Sequence, residues 1–494
     1  MSASIRFLRL ENREINGFMI IKRAIILFKI FTAGLFCLLF ASCNNKPPGG
    51  MLIITMVPGN IQNQSTVTEE SFRYVSNARI IALNPDNFKL VKVLTDKFYS
   101  ACSPEISYDG KYMLFAAQQK ENDVWQIWEM DLDNLKTRKI TSLYDNCIDP
   151  VYLPGGRLVF SKLTKNDTIK TGYPLFTCNP DGSDIRQITF HPNNNFATTV
   201  LKDGRLLTIS QQLLPVKRDP ILMVLRPDGT KADIFYNANG RNALIGRTRE
   251  TSDGKLVFIE SDINSKTSGD VVSINYNRPL HTRINLTVEI NGSFNAVMPL
   301  RSDKFLVSFR RSEAEQYALC EFDPEKKSLG QTLYQNKEYS IIDIVLAGKY
   351  DRPKKLPSEV DMNVKTGLLL CQDINVMGIQ PVVDRPGTPK VSMIEVLGID
   401  STYGIVPVEE DGSFYLKVLS DTPFQIRSLD EKGHVLYGPC SWIWLRPNER
   451  RGCVGCHEDP ELVPVNRVPL AVKKNPVIIP IQVVRITEKV VELE

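Results

Sequence analysis

The chain has 494 residues, of which 43% are hydrophobic and 23% charged, so it can bury a sizeable core, and a single small domain is excluded unless it is a large all-β array. Residues 1–42 carry six basic and two acidic side chains, which accounts for the whole formal charge of +4; the remainder has 54 of each sign. A neutral body gives no electrostatic basis for binding nucleic acid, so no nucleic-acid partner is expected.

Residues 1–42 read as a lipoprotein signal peptide. Lys22, Arg23 and Lys29 flank the apolar run IFTAGLFCLLFA at 30–41, and FASC at 40–43 follows it. The run is too short for a transmembrane helix, and Met19 offers a more usual start than the eighteen residues before it. FASC resembles a bacterial lipobox, with Phe40 where leucine is usual. That resemblance implies lipidation at Cys43, a membrane anchor and a place in the cell envelope, expected to be the periplasm-facing outer membrane. Residues 43–70, opening on NNKPPGG, read as a tether.

From 71 to 348 the sequence repeats about every 40–50 residues. PEISYDGKYMLFAA at 104–117, DPVYLPGGRLVFSK at 149–162, TTVLKDGRLLTISQ at 198–211 and RETSDGKLVFIESD at 249–262 share one pattern. Each is a short strand, an Asp-Gly or Gly-Gly turn, a basic residue and an apolar strand. Such turns supply the positive φ angles of tight hairpins. Second hairpins follow at 125–141, 173–189 and 220–236. Two hairpins per unit make a four-stranded blade, and six units predict a six-bladed β-propeller; a strand from MLIITMVPG at 51–59 would permit a seventh. The units resemble the WD40-like repeats of TolB-type propellers.

Residues 349–361 read as a basic, proline-containing linker. Residues 362–494 then give five to seven strand-like runs, predicting a small β-sandwich-like domain. Trp442 and Trp444 fall on one predicted strand face, either as core or as the wall of an apolar pocket. The tail from 464 is expected to pack back as an extended or edge strand. The predicted fold class is therefore all-β, a propeller followed by a sandwich that ends in a Cys-x-x-Cys-His segment.

That segment is RRGCVGCHEDPEL at 450–462, with Cys453, Cys456 and His457. Two thiols at this spacing add across the two vinyl groups of haem, and the adjacent imidazole can reach the iron. The same residues suit a zinc site with a fourth ligand from elsewhere, or a simple disulfide. Cys102, Cys147, Cys178, Cys320, Cys371 and Cys440 are scattered singly and read as small core hydrophobes. Asp-Gly and Pro-Asp-Gly pairs are hairpin turns rather than calcium loops.

The stretch 408–458 resembles the middle domain of the hydrazine synthase alpha subunit family, which also places a propeller before this domain. The resemblance implies haem c on Cys453 and Cys456. It also implies that the motif histidine, His457, can serve a zinc ion shared with a propeller cysteine, for which Cys102 and Cys147 are candidates. The family's iron-binding tyrosine lies four residues after that histidine; here the position is Glu461. The iron ligand is then His457, a carboxylate such as Glu461, or the iron is absent. With one Cys-x-x-Cys-His in the chain, the resemblance does not extend to hydrazine synthesis. The expected function is redox or small-ligand chemistry at the haem, with a redox protein as partner. The alternative is a non-enzymatic binding propeller whose motif is a structural metal or disulfide site.

Overall fold

The computed structural model describes residues 51–59, 74–237, 242–262, 269–376, 390–454 and 466–481. Cys43, Cys456, His457 and Glu461 lie outside them.

Among the described residues, six four-stranded antiparallel sheets form a closed ring. Their innermost strands are Ser100–Ile106, Cys147–Tyr152, Asn193–Val200, Asn242–Glu250, Ser293–Arg301 and Tyr339–Ala347. Each touches the next, and the last returns to the first. The sixth sheet joins both ends of the propeller: Tyr339–Ala347 pairs with Met51–Pro58, which pairs with Arg79–Leu83. Residues 51–58 are therefore not tether, and they add no seventh blade. MLIITMVP is apolar on both faces because both are covered, and seven of its eight residues are buried. Pairing the two ends of the propeller removes the open sheet edge that an unclosed array would expose.

Four consecutive inner strands carry a residue in the left-handed region, at Ser103, Asp149, Ala197 and Gly246. The strand register is interrupted at the same places. These bulges free backbone groups and short polar side chains to bond between sheets. Asp149 accepts from the Ser103 hydroxyl at 2.9 Å and from the Ala197 N–H at 2.8 Å. The buried Arg247 donates to the Pro104 carbonyl at 2.9 Å and to Glu105 at 2.7 Å. With a further bond to the Pro150 carbonyl at 3.3 Å, it thereby ties the fourth inner strand of this order to the first and second.

Residues 349–361 form a strap fastened to the propeller rather than a free linker. Tyr350 N–H donates to the Tyr108 carbonyl, Lys354 N–H to that of Lys202, and Glu359 N–H to the Asp228 carboxylate. The strap crosses one hairpin turn at van der Waals limits. Gly204, at φ +91°, has no room for a side chain, since a Cβ would sit 2.1 Å from the Lys354 carbonyl oxygen.

The second unit of structure is a sandwich of two four-stranded sheets. One has the order Arg450–Cys453, Thr366–Cys371, Phe414–Leu419, Val477–Ile479; the other Thr402–Pro407, Met393–Leu397, Gln425–Leu429, Val435–Tyr437. Leu369, Leu416, Val418, Ile394, Val396 and Ile426 fill the space between them. Both outer strands of the first sheet run parallel to their neighbours. The tail strand Val477–Ile479 takes the edge position, as its apolar pattern predicts.

Candidate functional site

The chain reaches the Cys-x-x-Cys-His motif from a fixed base. Trp444 is 1% exposed and packs with Val151, Leu153, Leu175, Leu206, Met223 and Leu225 of the propeller. Its ring meets His191 edge to face, with centroids 4.5 Å apart. Trp442 donates its indole N–H to the Leu214 carbonyl at 2.6 Å. Both tryptophans thus dock the sandwich onto the propeller, and this corrects the pocket-wall alternative. Residue 443 makes only an isolated bridge to Phe424, so SWIW is no regular strand.

Five residues beyond Trp444, charge takes over from apolar packing. The Glu449 side chain is fully buried. One of its oxygens accepts from the Arg446 N–H at 2.8 Å. The other accepts from the Lys231 N–H and the Arg451 guanidinium, both at 2.8 Å. Arg446 in turn donates to Asp421 at 2.6 Å and to the Asp228 carbonyl at 3.0 Å, and stacks over Phe190. Burial pushes the Asp421 carboxyl up, against the pull of Arg446. Lys231 Nζ donates to the Arg450 carbonyl at 2.6 Å. A buried carboxylate so fully hydrogen-bonded is costly to remove, and here it pins residues 446–451 to the propeller turn at 228–231.

Arg450–Cys453 then forms the edge strand beside Thr366–Cys371, in the register Leu368 with Arg450 and Cys371 with Cys453. Strand alternation separates two faces. Arg450, Leu368 and Lys417 point outward and line, with Thr366 and Tyr415, a cavity of about 310 Å³. Cys453 points to the opposite face. It is half-buried and packs against the sandwich core, so the cavity is not a recess around its thiol. Cys453 is the last residue of its strand. It is thus a half-buried thiol at the end of an edge strand, still hydrogen-bonded past its own position to the neighbouring chain segment. The donor chemistry of Cys453 fits a c-type haem.

The other candidates lie apart. Cys102 and Cys147 are 0% exposed and belong to the propeller core. Burial pushes the Cys147 thiol up to about 12, which disfavours the thiolate that a metal needs. Neither belongs to the cluster around Cys453, and among the described residues no three His, Cys, Asp or Glu side chains converge as a metal site. The cysteine that does neighbour Cys453 is Cys371, 1% exposed. Its sequence context, TGLLLCQ, marks it as inward-facing but gives no sign of its partner strand, 80 residues away.

Residues 386–458 match the family described as hydrazine synthase alpha subunit middle domain. The chain is 24% identical over 512 aligned residues to hydrazine synthase subunit alpha of Kuenenia stuttgartiensis, covering 78% of this chain and 63% of that relative. The chain thus spans less than two thirds of the curated relative. Among solved structures, Kuenenia stuttgartiensis hydrazine synthase superimposes with a TM-score of 0.74 at 20% identity, over 87% of this chain and 72% of that one. TolB from Acinetobacter baumannii is similar over 63% of this chain and 70% of its own, with a TM-score of 0.42 and 14% identity.

Proposed function

We propose that this chain, whose residues 386–458 match the hydrazine synthase alpha subunit middle domain, carries a c-type haem on Cys453 and Cys456. In this reading it serves redox or small-ligand chemistry at the cell envelope, anchored by lipid at Cys43. The observation that supports the reading best is the family match running through the motif, together with the fixed strand that delivers Cys453. When bound, haem supplies one-electron transfer or, with an open iron position, small-ligand binding. The protein's own part is attachment and placement. Cys453 and Cys456 would hold the haem by thioether bonds to its two vinyl groups. Glu449, Arg446 and Arg451 hold the approach to the motif, while Trp444 fixes the sandwich against the propeller. His457 would hold the iron or a neighbouring zinc ion, and Glu461 would be the alternative oxygen ligand. A redox protein docking on the assembled surface would complete electron delivery.

The relative is named for hydrazine synthesis; this chain is assigned only the broader chemistry, because Glu461 stands where the family's iron-binding tyrosine is expected. One observation favours a second reading, a binding propeller with a structural thiol site: Cys371 lies in register beside Cys453.

The test is to produce the full chain in a host with c-type haem maturation machinery and stain a denaturing gel for haem. Haem that survives denaturation, and is lost in Cys456→Ser, supports the proposal. A folded, haem-free chain from a working host sinks it.

A further inference from the structure

Cys371 and Cys453 are direct register partners on neighbouring parallel strands. Adjacent strands lie about 4.8 Å apart, and disulfides span Cα separations of about 4.4–6.8 Å. Residues directly opposite on parallel strands carry their side chains on the same face, and both of these pack into one apolar cluster between the sheets. The hydrogen bonds Gln372 N–H to Cys453 O at 2.9 Å and Asp373 N–H to Val454 O at 3.1 Å hold the two strands together up to and past the pair. Cys440 borders the same cluster from the other side of the sandwich. Its sulfur is engaged there by the Ile426 N–H at 3.2 Å and the Ser441 carbonyl at 3.1 Å.

We propose that Cys371 and Cys453 form a reversible disulfide that occupies Cys453 until haem is attached. The competition with haem rests on the proposed haem site; the disulfide itself does not. The exchange runs in two steps with a small-molecule or protein disulfide as oxidant. The half-buried Cys453 thiolate attacks the oxidant's disulfide and releases one thiol. Cys371, buried and adjacent, then attacks the mixed disulfide at Cys453 and releases the second. Two protein thiols become one S–S bond, and the oxidant's disulfide is reduced to two thiols. A dithiol reductant reverses both steps and returns the Cys453 thiol. In an exported protein this would make reduction a precondition for haem loading.

The experiment uses the full chain made without haem maturation machinery. It is equilibrated with oxidised glutathione, alkylated, digested without reduction and analysed by mass spectrometry. The expected result is a linked peptide joining Cys371 to Cys453, lost on reduction and absent in Cys371→Ser. Cys453 linked to Cys456 instead, or Cys371 fully alkylated after oxidation, overturns the proposal. A parallel preparation from the maturation host compares haem occupancy in wild type and Cys371→Ser. Higher occupancy in the variant supports the competition, and equal occupancy refutes it. Should neither protein hold covalent haem, the haem site fails, and the linked peptide still decides the disulfide.

Discussion

Replacing Trp444 with alanine tests the docking of the sandwich on the propeller. The indole is 1% exposed and is enclosed by strand residues of two propeller sheets, including Val159, Leu175, Leu206 and Leu225. Those strands are held by their own ladders and cannot collapse into the space. Trp→Ala in such a site costs about 3–5 kcal/mol, and the upper half of that range is expected here. The indole N–H has no partner among the described residues, so Trp444→Phe loses area without losing a hydrogen bond and should cost markedly less. Urea unfolding followed by far-UV circular dichroism reads both variants against wild type. A loss below about 1 kcal/mol for Trp444→Ala would refute the view that this side chain is core, because even a partly relaxed cavity exceeds it.

Arg247→Met strands the Glu105 carboxylate, which burial already pushes up, and should destabilise by about 3–5 kcal/mol; adding Glu105→Gln should restore part of the loss, as read by thermal melting. Gly204→Ala forces a Cβ to within 2.1 Å of the Lys354 oxygen at φ +91° and should cost more than about 1 kcal/mol, with earlier protease cutting in 349–361. His191 is held neutral by burial, its pKa pushed down to about 3. The unfolded chain takes up the proton near 6.5 and the folded one does not. This contribution is therefore harmless above about pH 6.5, and stability falls by up to about 1.4 kcal/mol per pH unit as pH drops towards 3. In His191→Phe that part of the acid dependence should vanish in denaturation curves collected from pH 7 to 4; an unchanged slope would count against a buried neutral imidazole.

The propeller was legible because its signals are local. An Asp-Gly pair between two apolar runs specifies a hairpin within fourteen residues, and the repeat then counts the sheets. Ring closure was not legible. MLIITMVP pairs with a strand some 290 residues later, and nothing in its composition names that partner. The sandwich was readable from alternation, as in Leu369, Cys371 and the intervening Leu370. Its mixed topology was not, since parallel pairing such as Cys371 with Cys453 is set by tertiary packing and leaves no local turn signature. The same holds for the docking segment. Trp444 looks like an ordinary core residue until the propeller strands and His191 enclose it, and Glu449 like an ordinary surface charge until the propeller turn at 228–231 closes over it. Cys453 was found by motif chemistry; Cys371 needed the fold.

The intact mass of the full chain, produced with c-type haem maturation machinery and measured after denaturation, tests the central claim most directly. The account predicts one added haem in wild type and none in Cys453→Ser/Cys456→Ser, with the same fold by circular dichroism. An unmodified mass in wild type, from a host that loads a control cytochrome, would contradict it.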